Sequence, residues 1–256
     1  MTTPTRLDRS ELVRQVKALY RQVAQQPTAD FHFPLGRPLA ERLGYPADLL
    51  DAVPAEALAS FAGVGYALDL AGLTPGIRVL DLGSGSGTDS FAAAHLVGPT
   101  GQVTGIDMTD EQRVKADRLR GDATHLRFVP GRLEDLPFDD ASFDVVISNG
   151  VVNLCPDKAR VFAEAARVLA PGGRLAVADI VATRPLPETV TCNADLWSAC
   201  IGGAAPETDY RAAIEQAGLH IDALREVTEY QFLTTQAQNA SRTYGVRAVT
   251  LAAHKS

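Results

Sequence analysis

Residues 79–90 read VLDLGSGSGTDS: a short branched apolar run carrying one acid, followed by glycines at 83, 85 and 87. The run has the composition of a strand buried on both faces, and the residues after it begin a helix. Glycines packed at every second position let the backbone take unusual dihedrals and let a ligand come close to the peptide groups at a helix N-terminus. Asp81, Gly83, Ser84, Gly85 and Gly87 are therefore candidate ligand contacts. The dinucleotide fingerprint G-x-G-x-x-G is not met, because Thr88 stands where its third glycine belongs. Asp81 would also repel a pyrophosphate, whereas a ligand with an ammonium or another cation suits it. A plain turn-forming acid is the alternative reading of Asp81.

Outward from this corner, IRVLDL (77–82), QVTGID (102–107), LRFVPG (126–131), FDVVISN (143–149) and GRLAVADIV (173–181) are strand-like, with helical stretches between them. LHIDALREVTEY (219–230) and VRAVTLAAHK (246–255) add two further strands, antiparallel to each other, joined by a ragged polar connection over 234–245. The alternation predicts an α/β fold: a seven-stranded, mostly parallel Rossmann-like sheet with helices on both faces. Ahead of it, RSELVRQVKALYRQVAQQ (9–26) has helical periodicity and ends at Pro27. The proline- and glycine-punctuated stretch after that reads as short helices and turns. Two units follow, an N-terminal helical cap over 1–72 and a sheet domain over 73–256, whose long irregular insertion, 182–205, has the length of a functional loop.

A chain of 256 residues with 46% hydrophobic and 21% charged residues has globular values. No window reaches the length of a membrane span and the first residues lack a signal-peptide layout, so the expectation is a cytoplasmic protein. The net charge of −7 speaks against a nucleic-acid partner. Cys155, Cys192 and Cys200 form no metal-binding spacing and read as free thiols, with no metal site expected. Monomer and homodimer stay open.

Asp107, at the end of the second predicted strand, has the position and the paired acceptors to take both hydroxyls of a ribose, and Met108 beside it can pack on a purine; a helix N-cap is the alternative for Asp107. With these residues placed, VLDLGSGSG, VTGIDMT, GRLEDLPFDDASFDVVISNGVVNL and EAARVLAPGGRLAVADIV resemble, in order and spacing, the consecutive motifs of class I S-adenosylmethionine-dependent methyltransferases. The resemblance implies that Asp81 and the 83–87 loop hold the methionine end of S-adenosyl-L-methionine and Asp107 its ribose. It implies Leu133 and Glu134 at the adenine, and Asn149 and Gly150 near the transferred methyl. Many relatives have an aspartate in the adenine turn; here Gly131-Arg132-Leu133-Glu134 stands instead.

The reaction so implied is in-line methyl transfer to a small organic acceptor, met by the cap and by 182–205. His32, Asn149 and Trp197 are the candidate catalytic residues: His32 as a base or orienting group among aromatics, Trp197 as a pocket wall. A structural histidine and an anchor for the insertion are the respective alternatives. AERLGYPADLLDAVP, SNGVVNLCPDK and NADLWSACIGGA are similar to the arsenite methyltransferase branch, which binds trivalent arsenic through cysteine thiolates. Cys200 matches one thiol of that branch, but the cysteine ahead of the first strand is replaced by the 61–65 segment and none follows Cys200. A soft cation needs several converging thiolates, so an organic acceptor is the first expectation and arsenite the alternative. A dehydrogenase and a non-catalytic scaffold are the remaining readings.

Overall fold

The structure, a computed structural model, describes residues 7–193, 197 and 201–256. Among them, seven strands form one sheet: β1 (Arg78–Leu82), β2 (Gln102–Asp107), β3 (Leu126–Pro130), β4 (Phe143–Asn149), β5 (Leu169–Val181), β6 (Leu219–Glu226) and β7 (Arg247–Lys255). Their order is β3-β2-β1-β4-β5-β7-β6. β1 to β5 run parallel, and β7 is antiparallel to β5 and to β6. The chain leaves β1 toward one edge and returns at β4 toward the other, so the strand order reverses between β1 and β4. Ligands of such sheets bind beyond the carboxyl ends of the strands at that reversal.

Alternate residues of the central strands feed two cores. Val79, Val145, Ile147, Ala176 and Ala178 belong to one, and Leu80, Leu82, Val146, Leu175 and Val177 to the other. Strands buried on both faces explain why the sequence shows continuous apolar runs there and no clean alternation.

The first core is shared with the N-terminal segment. Helix α1 (Arg9–Gln25) is capped by the Asp8 carboxylate, which accepts from the Ser10 and Glu11 N–H groups at 2.9 and 3.1 Å. It buries Leu12, Val16 and Val23 as one stripe. Four short helices follow, α2 (Arg37–Arg42), α3 (Ala47–Asp51), α4 (Ala55–Ala59) and α5 (Leu68–Ala71). Leu39, Leu50, Ala57, Phe61 and Val64 from this segment join Val79 and Ile147 in one cluster. Polar stitches add to the apolar contact: on α7 (Asp110–Arg120), the Gln112 side chain donates to the Tyr20 carbonyl at 3.0 Å, and the Lys115 ammonium to the Ala24 carbonyl and Ser60 hydroxyl at 3.0 and 2.8 Å.

Helix α6 (Thr88–Val97) follows β1, and α8 (Lys158–Val168) precedes β5. The helix ahead of β5 stops at Val168, because Leu169 turns extended and pairs with Phe143. The connection read as ragged over 234–245 is a helix, Thr235–Tyr244. The Thr234 hydroxyl accepts from the Ala237 N–H at 3.1 Å, and Gly245 closes the helix in the left-handed conformation. β6 also ends at Glu226, earlier than expected, after a bulge between Ile221 and Ala223.

Candidate active site

The carboxyl end of β1 opens into the loop quoted above. Gly83 donates from its N–H to the Ile106 carbonyl at 2.8 Å and holds φ +69°. A Cβ placed there would lie 2.6 Å from the Val151 side chain, so the position combines a positive φ with a close approach. Gly87 begins α6 at φ +95°, with the Phe128 and Phe91 rings 2.8 and 2.9 Å from where its Cβ would be.

Above this loop lies a cavity of about 1040 Å³, open mouth included. Ten of the eleven predicted cofactor residues line it: Asp81, Gly83, Ser84 and Gly85 from the loop, Asp107 and Met108 from the end of β2, Leu133 and Glu134 from the turn after β3, and Asn149 and Gly150 from the end of β4. Gly87 is not among the lining residues; it sits behind the loop against Phe128. Val13, Val16, Tyr20, Phe61 and Gly63 of the N-terminal segment form the facing wall.

Two carboxyls set the electrostatics of the corner. Asp81 is 2% exposed and accepts from the Ser90 hydroxyl at 2.6 Å. Burial, and next the charge of Asp89, push it up to about 8. Asp107 is raised by burial against the hydrogen bonds that oppose the shift. Its Oδ2 accepts from the Gly85 N–H at 2.9 Å and its Oδ1 from the Thr109 N–H at 2.7 Å. The same carboxylate thus ties the glycine loop to the start of α7, and it retains acceptor capacity for further donors.

The residues present fit S-adenosyl-L-methionine. The Ser84 hydroxyl is buried with no protein partner and lines the cavity, which leaves a polar atom for a ligand to satisfy. The acids match a ligand bearing an ammonium, a sulfonium and a ribose. Arg132 is the one basic residue in the described lining, and it is paired with Glu134 at 3.3 Å.

The three candidate catalytic residues are placed apart. Asn149 lines the cavity, but its amide is engaged with the N-terminal segment: Oδ1 accepts from the Val64 N–H at 2.8 Å, and Nδ2 donates to the Gly65 carbonyl at 2.9 Å. His32 is outside the lining, its ring edge-on to Phe33 with centroids 4.7 Å apart. Trp197 is buried outside the lining as well; its indole N–H donates to the Thr191 carbonyl at 2.7 Å and the Lys158 ammonium lies 4.9 Å from its ring centre. Cys155 lines the cavity and Cys192 does not; Cys200 lies outside the described residues. Asp179, at the end of β5, is fully buried away from the cavity and accepts from the Tyr210 hydroxyl and the Asn153 N–H, both at 2.8 Å.

Sequence reading did not single out Asp89, Gln112 or Val151. Asp89 had a signal: it is an acid in a helix whose neighbours Phe91, Ala92, Ala93 and Ala94 are all buried, so it requires partners. Gln112 and Val151 had none, because their place in the wall depends on packing across elements.

Comparison with known proteins agrees with this geometry. A family model described as "Methyltransferase domain" matches residues 73–231. An arsenite methyltransferase of Halobacterium salinarum is 45% identical over 181 residues, covering 70% of this chain and 46% of its own. The chain spans about half the length of the curated relatives it matches. Among solved structures, an arsenic(III) S-adenosylmethionine methyltransferase from Chlamydomonas reinhardtii is 32% identical with a TM-score of 0.63, covering 86% of this chain and 74% of that one. A geranyl diphosphate C-methyltransferase from Streptomyces coelicolor A3(2), 18% identical with a TM-score of 0.69, shares the fold over 96% of this chain and 98% of its own. The family match, the glycine loop and the paired acids lead to one conclusion: the chain belongs to the class I S-adenosylmethionine-dependent methyltransferases.

Proposed function

We propose that the protein transfers the methyl group of S-adenosyl-L-methionine to a small organic acceptor, neutral or cationic and largely apolar, admitted between the cap and the carboxyl ends of β1 and β4. The observation that carries this reading is the make-up of the cavity wall. Val13, Val16, Phe61, Val151 and Leu154 supply apolar surface, Asp89 and Asp107 supply negative charge, and the one arginine is already paired with Glu134. An anionic acceptor would meet repulsion from the Asp89 and Asp107 carboxylates in that wall.

The donor, when bound, supplies a methyl group already activated on a sulfonium. The chain's residues would do the rest by placement. Asp81 and the 83–85 loop hold the amino-acid end, Asp107 the ribose, and Met108, Leu133 and Glu134 the base. Phe61, Val151 and Leu154 exclude water from the reacting centre, and alignment of two reactants in a dry site accounts for about 7–11 kcal/mol of such a barrier. No acid or base is required unless the acceptor arrives protonated. The N-terminal cap, 1–72, and the 182–205 insertion would complete the acceptor side. His32 and Trp197, which do not line the wall, would act there as supports. Free Cys155 and Cys192 suit the reducing cytoplasm that this reading assumes.

Arsenite is the second reading, favoured by the curated relatives. Against it, Cys155 is the one thiol in the described wall, and burial pushes it up to about 12, which disfavours the thiolate a soft metalloid needs. An acceptor screen with labelled methyl donor tests the proposal. Label in an uncharged or cationic metabolite supports it, whereas label in arsenic alone replaces it by the second reading.

A further inference from the structure

The donor reading makes no use of Asp89, an acid 8% exposed in the first turn of α6. Its two oxygens are held from different elements. The Tyr45 hydroxyl, from the connection between α2 and α3, donates to Oδ1 at 2.5 Å, and Asn149 Nδ2, at the end of β4, donates to Oδ2 at 3.0 Å. Asn149 Nδ2 also lies within hydrogen-bond distance of the Tyr45 oxygen and the Gly65 carbonyl, 3.0 and 2.9 Å away, and its Oδ1 accepts from the Val64 N–H, so the amide grips this segment of the cap. Cap, sheet and α6 therefore meet on one carboxyl.

On its other side Asp89 acts on Asp81, and both line the cavity. Among the described residues, the titratable groups bearing on the two are Tyr45 and Tyr66 from the cap and Asp107 from β2, together with the Ser90 hydroxyl on Asp81, and no cation is among them. Two buried carboxyls in that setting do not both ionise cheaply, and the proton they keep belongs to the pair. Burial raises Asp89 as well, but Tyr45 and Asn149 donate to it and oppose that shift, whereas burial and the Asp89 charge together hold Asp81 at about 8, so the pair's proton rests on Asp81.

We propose that Asp89, pinned between Tyr45 of the cap and Asn149 of β4, is a positioning residue for the methyl donor that acts through Asp81, so that the donor's ammonium is accepted in exchange for a proton. The inference rests on the donor reading of the cavity. The exchange balances: the donor enters as a cation, one O–H bond of the Asp81 carboxyl breaks, the proton passes to solvent, and no bond of the donor changes. Seating of the cap then enters donor affinity through the Tyr45 hydroxyl, with no contact between Tyr45 and the donor.

Calorimetric titration of S-adenosylhomocysteine, which carries the same ammonium, into the full chain in buffers of different ionisation enthalpy counts the protons released. The wild type releases close to one proton at pH 7, and its affinity rises by nearly tenfold per pH unit from about pH 6 until it flattens above about 8. Asp89→Asn removes the neighbouring charge and leaves burial as the cause that raises Asp81, so proton release at pH 7 falls below the wild type's and the affinity profile flattens at a lower pH. Tyr45→Phe removes a donor that favours the charged form of Asp89, so the pair's proton moves toward Asp89 and Asp81 is freer to meet the ammonium; proton release at pH 7 falls below the wild type's, a pH-linked change that a purely structural defect would not give. Wild-type proton release in a binding-competent Asp89→Asn protein, or a pH-independent wild type, overturns the inference while leaving the donor reading intact. No binding by the wild type at any pH removes the donor reading itself. Should Asp89→Asn fail to fold, the wild-type and Tyr45→Phe profiles decide.

Discussion

Replacing Asp81 by asparagine should make the ligand-free protein more stable and the donor site worse. The side chain is nearly isosteric with the protonated acid and can still accept from Ser90 Oγ, which lies 2.6 Å from Asp81 Oδ2. In the folded protein Asp81 stands at about 8, against 3.8 for an unburied carboxyl. A group raised on folding contributes most below its unfolded value, and that contribution is lost as pH climbs to the folded one. Between about pH 4 and pH 8, then, the wild type loses stability that Asp81→Asn, with no charge to bury, retains. At about 1.4 kcal/mol per pH unit the interval corresponds to a ceiling of order 5 kcal/mol. Sharing of the proton with Asp89 and relaxation around the carboxyl reduce this to about 2–3 kcal/mol, or roughly 5–10 °C in melting temperature for a chain of this size. The assay is differential scanning calorimetry of both ligand-free proteins at pH 5 and pH 8.5, with donor binding measured alongside. The gap between the two melting temperatures should open in favour of the variant at the higher pH. Binding of S-adenosylhomocysteine should weaken about ten- to 150-fold, the equivalent of a charged hydrogen bond worth about 1.5–3 kcal/mol. A gap that stays constant between the two pH values, or undiminished donor affinity, would refute the reasoning.

Three further outcomes follow from the same geometry. Asp107→Ala removes the acceptor for the Gly85 and Thr109 N–H groups as well as the proposed ribose contact, so donor affinity should fall at least tenfold, read by calorimetry, with about 1–2 kcal/mol of stability lost in denaturant melts. Gly83→Ala forces a Cβ against Val151 at a positive φ and should cost about 1–3 kcal/mol while weakening donor binding; a variant of wild-type stability would show that the loop is not held as described. Cys200→Ser should leave methylation of an organic acceptor unchanged in the labelled-donor assay, and a selective loss of arsenite binding in that variant would instead favour the second reading.

The parts of the molecule legible in its sequence are those written in one stretch of chain. β1, β2, β4 and β5 are apolar on both faces, so each declares itself without reference to its neighbours, and the glycine loop and Asp107 sit where strands end. Six lining residues, Asp81, Gly83, Ser84, Gly85, Asp107 and Met108, were reachable from those ends, and Leu133, Glu134, Asn149 and Gly150 followed from the family resemblance. What stayed hidden depends on partners far away in sequence: Tyr45 meets Asp89 across 44 residues, and Asn149 meets Asp89 across 60. Asn149 illustrates the difference, since its position at the end of β4 was readable but the commitment of its amide to Val64 and Gly65 was not. The helix Thr235–Tyr244 was missed for a separate reason. Its buried residue is Ala237 alone, which leaves little periodicity to see, although the Thr234 cap and Gly245 stop were both in the sequence. Trp197 drew attention as a large aromatic in a loop, and its indole and the Lys158 ammonium above it instead fix the insertion beside α8.

The account depends on the cavity above the β1 loop being the place where the methyl donor binds, and a crystal structure of the protein with S-adenosylhomocysteine tests that directly. The ligand's ammonium should lie against Asp81, its ribose hydroxyls on Asp107, and its base between Met108 and Leu133. Ligand bound at another surface, with Asp81 and Asp107 contacting only protein, would contradict it.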